Sequence, residues 1–298
     1  MSFSSADYPA DRFIIDARGH ELDLRPGAPP HGAHVMGILN TTPDSFSDGG
    51  QFVTVEAAVS RAAEMLAEGA SIIDIGGEST RPGAEPVDKE EEIDRVVPVI
   101  DAISQRFPEA VLSIDTYKPD VAQSALEAGA HIVNDVTGLR HHPETADVAA
   151  DVGAPLILMH SVGAPGKLTK RPDYDDLDQN VFGTLRSAIE TAQSAGVDHI
   201  VTDPGFGFGK SVSENLHLIN HIDDLLRLGF PVLAGISRKS ALGKLLGSED
   251  EPVGTDERLF GALGTTAIAL LRGATIIRTH DVQPTLEMLH AMHATLQS

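Results

Sequence analysis

Short apolar runs alternate along the chain with longer segments in which apolar residues recur about every 3.6 positions. Each apolar run ends in polar residues, and the pattern occurs eight times after residue 33. The runs predict strands at 34–40, 71–76, 111–116, 131–137, 155–160, 199–205, 231–237 and 275–281. The longer segments predict helices at 55–68, 90–107, 119–128, 177–195, 212–228 and 257–272.

Strands that are apolar throughout and alternate with helices are typical of a parallel sheet covered on both faces. Eight such units within about 250 residues favour an α/β fold of the (β/α)8 TIM barrel type over a doubly wound sheet. We assign residues 34–298 to this barrel and residues 1–33 to a short N-terminal extension, in which 13–16 and 21–24 can form a β-hairpin. In such barrels the active site forms where the strands end.

Composition narrows the possible partners and locations. The 298 residues include 44 acidic and 22 basic side chains, so the net charge is -22 and nucleic acid is not an expected partner. This charge would suit a salt-rich cytosol, where ions screen the repulsion. Because the chain has no cysteine, disulfides and thiolate metal sites are excluded. No apolar run approaches the ~18 residues of a membrane span, and residues 1–10 do not resemble a signal peptide, so we expect a cytoplasmic protein.

The loop after the first strand, residues 40–50, is polar and rich in turn-forming residues. Asn40, Asp44 and Asp48 offer the hard oxygen ligands that Mg2+ prefers, and Phe46 is an aromatic side chain in an otherwise polar segment. A solvated turn is the alternative interpretation of this loop taken alone. The similar polar loops that follow the other strands favour a functional role.

Polar residues also stand at the other strand ends. They include Asp74, Asp115, Asn134, Asp135, His160, Asp203, Lys239, Arg278 and His280. Any one Asp could simply cap the next helix. Three carboxylate or amide groups at one barrel mouth, from Asp115, Asn134 and Asp203, would however be costly without a hydrogen-bonding ligand.

An acidic and amide set of this kind suits a flat heterocycle with a donor-rich edge, because a carboxylate accepts two parallel N–H groups. A pterin or a guanine fits this description. Lys239 and Arg278 offer donors to ring acceptors, and the guanidinium can also stack on the ring. Candidate phosphate ligands are Asn40, Arg81, Arg278 and His280.

Together these segments resemble the dihydropteroate synthase family of pterin-binding TIM barrels, which sulfonamides target. The motifs that carry the resemblance are 37–50, 74–83, 113–116, 134–136, 203–210, 237–239 and 278–282, in the family's order. The resemblance runs from about residue 34 to the C-terminus and leaves residues 1–33 outside. It covers no motif in segment 161–176.

The resemblance implies a transferase of folate biosynthesis. Such an enzyme condenses (7,8-dihydropterin-6-yl)methyl diphosphate with 4-aminobenzoate and releases 7,8-dihydropteroate and pyrophosphate, with Mg2+ as cofactor. It also implies a homodimer, for which the apolar face of 257–272 is our candidate interface.

The family's site residues carry over to matching positions. For the pterin these are Asp115, Asn134, Met159, Asp203, Phe208, Lys239 and Arg278, with Arg278 stacked on the ring. For 4-aminobenzoate they are Phe46, Thr80, Arg81, Pro82 and Ser240. For pyrophosphate they are Asn40, Arg81, Arg278 and His280, with Asn40 also a metal ligand, and the catalytic set is Asp48, Asp115, Lys239 and Arg278.

Two other functions remain open on the sequence. A pterin-binding methyltransferase that serves a corrinoid would share the barrel and the pterin-facing residues, but it would not use the first two loops or 237–239. A non-catalytic paralogue that binds pterin is the second alternative, and the intact Asp48, Lys239 and His280 argue against it.

Overall fold

The computed structural model describes residues 7–28, 32–42, 55–79, 85–163 and 173–298. Its main sheet consists of parallel strands β3 (His34–Asn40), β4 (Ile72–Gly76), β5 (Val111–Asp115), β6 (Ile132–Asp135), β7 (Leu156–Met159), β8 (Ile200–Asp203), β9 (Leu233–Ala234) and β10 (Ile276–Thr279). The spatial order is β8-β7-β6-β5-β4-β3-β10-β9. Thr202 of β8 and Val232, directly before β9, form a parallel bridge, which brings the two ends of the sheet together. The predicted (β/α)8 TIM barrel is thereby confirmed.

Helices lie between the strands and cover the outside of the barrel. They are α2 (Val55–Glu68), α3 (Lys89–Arg106), α4 (Pro119–Glu127), α5 (Thr145–Asp151), α6 (Leu177–Ala195), α7 (Val212–Asn220), α8 (Ile222–Leu225), α9 (Ser240–Leu246), α10 (Leu259–Leu271) and α11 (Val282–Gln297), after a short α1 (Ala10–Phe13). Their buried faces pack on the strands in two apolar clusters, one that includes Met65 and Ile100 and one that includes Leu218. None of the helices in the described ranges is long and apolar enough to cross a membrane.

Most predicted strands are observed one to three residues shorter, and two predicted elements differ more strongly from the observed ones. The single helix predicted at 212–228 is broken at His221. The Nδ1 atom of its ring forms a hydrogen bond with the carbonyl oxygen of His217, and its backbone N–H donates to the carbonyl oxygen of Leu218. The regular series of helical hydrogen bonds therefore stops there. The strand predicted at 231–237 is reduced to the two residues of β9. Pro231 at its start has no N–H to donate to a ladder, which shortens it from that side.

The N-terminal extension closes one end of the barrel. Its strands β1 (Ile14–Asp16) and β2 (Glu21–Asp23) pair as an antiparallel hairpin. The buried side chains of this segment, including Ile15 and Leu24, pack against the first residues of the barrel strands, such as Ile72 and Ile276. Arg18 fastens the hairpin by donating to the carbonyl oxygen of Leu126 in α4 at 2.8 Å and to that of Ala130, between α4 and β6. The hairpin is therefore a plug at the end of the barrel opposite the strand ends discussed next.

Candidate active site

Strand register brings the predicted site residues together at the C-terminal end of the barrel. Asn40 pairs with Gly76, Gly76 with Asp115, and Asp115 with Asn134 across four neighbouring strands. Because partners in a parallel ladder lie at the same height, these residues form one layer.

A pocket lies inside this layer. It is lined by Asp115, Asn134, Val136, Met159, Asp203, Phe206, Phe208, Gly235, Lys239 and Arg278. The structure therefore gathers in one pocket all the residues that the resemblance assigns to the pterin. Val136, Phe206 and Gly235 were not among them, since apolar residues and glycines give no chemical signal in a sequence.

Arg278 forms the most extensive polar contacts of the pocket. Its Nε atom donates to Oδ2 of Asp74 at 2.6 Å, and its Nη2 atom donates to Oδ2 of Asp115 at 2.6 Å. The amide of Asn134 donates to the same oxygen of Asp74 at 3.2 Å. Burial opposes the charge of Arg278, but the carboxylates of Asp74 and Asp115 outweigh it and raise the pKa of the guanidinium. The cation is therefore permanent, and Asp74 belongs to the site although the predicted set omitted it.

The carboxylates of Asp115 and Asp203 both face the pocket. Burial raises the pKa of Asp115 to about 7, although the positive charge of Arg278 opposes the shift. Burial likewise raises the pKa of Asp203, against the effect of the N–H of Gly205, which donates to Oδ1 at 2.6 Å. A ligand that donates to both carboxylates would favour their ionised forms, because each donor stabilises the negative charge.

Lys239 enters the pocket from the loop after β9. Its Nζ atom lies 4.0 Å from the centre of the Phe208 ring, a cation–π contact. Burial lowers the pKa of Lys239 to about 8, with a further lowering from Arg278. Gly207 packs on the stem of this lysine, since a Cβ atom there would lie 3.0 Å from Cδ of Lys239.

His280 lies one residue beyond β10, beside the pocket and not among its lining residues. Its Nδ1 atom lies 3.1 Å from Oγ of Ser237, and the Ser237 hydroxyl also lies 3.4 Å from Asp281, which pairs with Arg238. Burial, and then the positive charge of Arg278, lower the pKa of His280 to about 3. His280 is therefore a neutral hydrogen-bonding group at neutral pH.

The other predicted residues are placed less completely. Asn40 is half-buried at the end of β3, and Ser240 is the exposed first residue of α9, directly after Lys239. Asp44, Phe46, Asp48, Thr80, Arg81 and Pro82 lie outside the described residues. Within the described ranges, no group of three His, Cys, Asp or Glu side chains could hold a metal ion.

A second ionic group lies beside the motif that carries Thr80 and Arg81. The Lys118 ammonium donates to Glu78 and to Glu92, each at 2.5 Å, and to the carbonyl oxygen of Val87 at 2.7 Å. Burial raises the pKa of Glu92, while its hydrogen bond from Lys118 acts in the opposite direction. Lys118 thereby holds residues on both sides of segment 79–86. Sequence reasoning did not single out Lys118.

The pocket thus combines hydrogen-bond acceptors with two basic side chains. Asp115, Asn134 and Asp203 can bind the N–H groups of a flat heterocycle, while Lys239 and Arg278 supply donors and positive charge. The sequence placed Asp74 among the polar strand ends without a role in the site, although it is a charged residue between Ile73 and Ile75 in an otherwise apolar strand. Its exposed fraction is 0%, so it needs an internal partner.

Comparisons with known proteins agree with this geometry. Residues 36–280 match the family described as pterin binding enzyme. The chain is 45% identical to the dihydropteroate synthase of Escherichia coli K12 over 95% of this chain and 96% of that protein. An alignment of that extent cannot leave all of residues 1–33 outside, so the similarity begins earlier than the predicted position 34.

Solved structures give the same result. A Xanthomonas albilineans dihydropteroate synthase with 4-aminobenzoic acid superposes with a TM-score of 0.86 at 42% identity, covering 96% of this chain and 99% of that one. A Yersinia pestis dihydropteroate synthase in a sulfonamide drug complex gives a TM-score of 0.85 at 43% identity, with 96% and 100% covered. The chain belongs to the dihydropteroate synthase family of pterin-binding enzymes.

Proposed function

We propose that the protein condenses (7,8-dihydropterin-6-yl)methyl diphosphate with 4-aminobenzoate to give 7,8-dihydropteroate and pyrophosphate, a step of folate biosynthesis. The observation that carries the proposal is the pocket itself. Asp115, Asn134 and Asp203 meet Lys239 and Arg278 there, at the C-terminal end of a family-typical barrel.

The acceptor wall recognises the pterin edge. The ring carries several N–H donors on one side, and the carboxylates of Asp115 and Asp203 accept them in the ionised form. Lys239 donates to ring acceptors from the opposite side, and Met159 and Phe208 enclose the ring faces. Both carboxylates are buried, so their bonds to the ring form in a low-dielectric environment where they are strong.

The reaction breaks the C–O bond between the methylene carbon and the diphosphate, and the electron pair leaves with pyrophosphate. The nitrogen lone pair of 4-aminobenzoate then forms the new C–N bond, and the resulting ammonium releases one proton to water. Positive charge develops on the pterin methylene and spreads into the ring nitrogens. Asp115 and Asp203 stabilise this charge because they are fixed before the reaction begins. Arg278 offers positive charge to the departing diphosphate.

The donor set fits a magnesium ion that is shared with the substrate. Mg2+ commonly takes one or two protein oxygens together with substrate phosphates and water, and does not require a complete protein cage. Asn40, the last residue of β3, has an amide oxygen and lies in register with the layer that contains Asp115. When bound, Mg2+ would neutralise charge that accumulates on the leaving pyrophosphate. Asn40 would hold the ion.

The proposed binding site for 4-aminobenzoate is supported by the similarity to related enzymes. The Xanthomonas enzyme was solved with 4-aminobenzoic acid and the Yersinia enzyme with a sulfonamide drug. We place 4-aminobenzoate next to Ser240, at the start of α9, where Lys239 would connect the two substrate positions. Phe46, Thr80, Arg81 and Pro82 would complete this site and Asp48 would aid the reaction. A sulfonamide would compete for the same place.

Pyrophosphate release from the pterin diphosphate with Mg2+ tests the function. We expect release that depends on 4-aminobenzoate, together with formation of dihydropteroate and competitive inhibition by a sulfonamide. A reaction without added Mg2+ and in the presence of a chelator should be slow. Pterin binding without aminobenzoate-dependent turnover would contradict the synthase activity and favour a binding paralogue.

We also propose a homodimer in which the outer face of α10 forms the contact. Phe260 on this helix is 83% exposed, and Ile268 and Leu271 on the same helix are also exposed apolar residues. Leu246 at the end of α9 is a further exposed apolar residue. An apolar patch of this kind on an acidic protein is typical of an interaction surface. Sedimentation should give a dimer at micromolar concentration and a monomer for Phe260→Asp. A wild-type monomer would contradict the proposal.

A further inference from the structure

Lys210 follows the glycine-rich loop after β8, and the proposed reaction does not use it. Its Nζ atom donates to three backbone carbonyl oxygens, those of Gly205 at 2.9 Å, Phe208 at 3.1 Å and His160 at 3.4 Å. An ammonium group has three N–H donors and no acceptor, so these contacts use its full hydrogen-bonding capacity. Lys210 therefore joins the loop after β8 to the residue that follows β7.

The glycines of this loop allow the carbonyl groups to converge. Gly205, Gly207 and Gly209 have φ angles of +71°, +84° and +63°, a left-handed region that favours glycine. A Cβ atom on Gly205 would lie 1.7 Å from the carbonyl oxygen of His160. The loop thus packs backbone against backbone on the end of β7, and the ammonium of Lys210 closes that contact.

The segments that Lys210 joins carry three side chains of the pocket. Met159 precedes His160, and its side chain clusters with Phe208 and Val136. The N–H of Gly205, whose carbonyl Lys210 binds, donates to Oδ1 of Asp203 at 2.6 Å and orients that carboxylate. A shift of the loop would therefore move an acceptor and a ring-enclosing residue of the pterin pocket together.

The ammonium of Lys210 is held by carbonyl oxygens, while the carboxylates of Asp203 and Glu214 favour its charge without a hydrogen bond from it in the described residues. Among the ion pairs of the described ranges, none involves Lys210. Burial lowers its pKa to about 7, with Asp203 opposing and Lys239 adding to the shift. Burying an ammonium group costs free energy of solvation. In this position the group forms directional hydrogen bonds to three backbone carbonyl oxygens.

We infer that Lys210 is a positioning residue of the pterin pocket, which holds the loop bearing Phe208 against β7 and so keeps Asp203 aimed at the pterin. The inference rests on the proposed function for the identity of the ligand. It predicts that loss of the ammonium weakens pterin binding more than it affects 4-aminobenzoate.

The absence of cysteine from the chain permits a direct test. Lys210→Cys would carry the only thiol, which 2-bromoethylamine, applied in denaturant before refolding, converts to a thioether with an ammonium at nearly the position of Nζ. Lys244→Cys, at a partly exposed lysine on α9, receives the same treatment as the matched control. Wild-type protein taken through the same cycle controls for refolding.

The first readout is the Kd of the pterin diphosphate, titrated calorimetrically with Mg2+ and without 4-aminobenzoate. The second is the aminobenzoate KM at saturating pterin. Lys210→Cys should weaken pterin binding about tenfold, equivalent to ~1.4 kcal/mol, while the aminobenzoate KM changes less than about twofold. Aminoethylation should restore the Kd. Lys210→Met keeps the aliphatic stem and should show the same loss of pterin affinity. It replaces the cysteine variant if that variant folds poorly.

An unchanged Kd in Lys210→Cys or Lys210→Met would overturn the inference, as would an equal loss for both substrates or a loss that aminoethylation does not reverse. Wild-type binding of the pterin diphosphate in the same titration tests the proposed function separately. The role of Lys210 follows only from the ratio of the variant's Kd for the pterin diphosphate to that of the wild type.

Discussion

The Nε atom of Arg278 on β10 and Oδ2 of Asp74 on β4 lie 2.6 Å apart, across the strand β3 that separates them in the barrel. Asp74 is completely buried and Arg278 is 16% exposed at its side chain. The pair therefore holds the pocket's permanent cation at a fixed place. Asp115 shares the same cation, so its position depends on Asp74 as well.

Asp74→Asn keeps the shape of the side chain and removes the charge. We expect the free energy of unfolding to fall by about 3 kcal/mol, because Arg278 loses one of two buried counterions. Turnover should fall as well, since Arg278 is then free to shift towards Asp115. Urea unfolding and steady-state kinetics measure the two effects. Asp224→Asn removes the surface pair with Arg227 and should cost less than ~1 kcal/mol. Equal losses in the two variants would contradict the assignment.

Lys239→Ala should lower kcat/KM by about 100-fold or more, because a preorganised donor at the reacting substrate is lost. The fold should tolerate the change, since burial lowers the pKa of Lys239 and its charge is therefore not a source of stability. Lys244→Ala, at a lysine paired with Glu249 on the surface, is the control and should retain wild-type kinetics. Wild-type rates in Lys239→Ala would refute a catalytic role.

Pterin affinity should depend on pH through Asp115. Burial raises its pKa to about 7, so the accepting carboxylate predominates above that pH and is lost as the pH falls through it. The Kd of the pterin substrate should therefore rise below about pH 7, by up to tenfold per pH unit. Calorimetric titrations across this range measure the effect. Asp115→Asn should bind the pterin substrate weakly, and its Kd should lack the part of the rise below about pH 7 that is due to Asp115. A wild-type Kd that is constant from about pH 6 to about pH 8 would exclude the assignment.

The N-terminal plug should contribute to stability and not to chemistry. Leu24→Ala removes a completely buried side chain from the plug and should lower the free energy of unfolding by about 3 kcal/mol. Turnover of the folded variant should stay within about twofold of wild type, since the pocket lies at the other end of the barrel. Leu296→Ala, at a leucine that is 66% exposed, serves as the control. Full stability of Leu24→Ala would show that the hairpin does not plug the barrel.

Periodicity alone predicted the barrel, because its strands are apolar on both faces and its helices are amphipathic. The rule that barrel strands end at the active site then selected Asp115, Asn134 and Asp203 before any geometry was known. The structure brings those residues to one pocket. Helix 212–228 was predicted too long because the ring of His221 competes for a backbone carbonyl, and no periodic pattern reveals such a bond.

The pairing of residues distant in sequence could not be predicted. Asp74 and Arg278 are separated by 204 positions, and only the barrel order brings them together. Lys118 lies outside the motifs, and the motif that ends at Lys210 does not reveal that this lysine is buried. Their roles depend on which carbonyl and carboxylate oxygens surround them, and those oxygens come from several elements.

The joint between β8 and β9 differs from the rest of the barrel wall. In the described residues it consists of the Thr202–Val232 bridge and the bonds of Thr202 to the carbonyl oxygen of Pro231, whereas the other strands share longer ladders. Asp203 and Lys239 lie on the two sides of this joint. A pterin held by both would act as a non-covalent cross-link across the weakest part of the wall. Amide protons there, starting with that of Thr202, should exchange with solvent faster than those of β4 and β5 in the free protein, and slow down when the substrate binds.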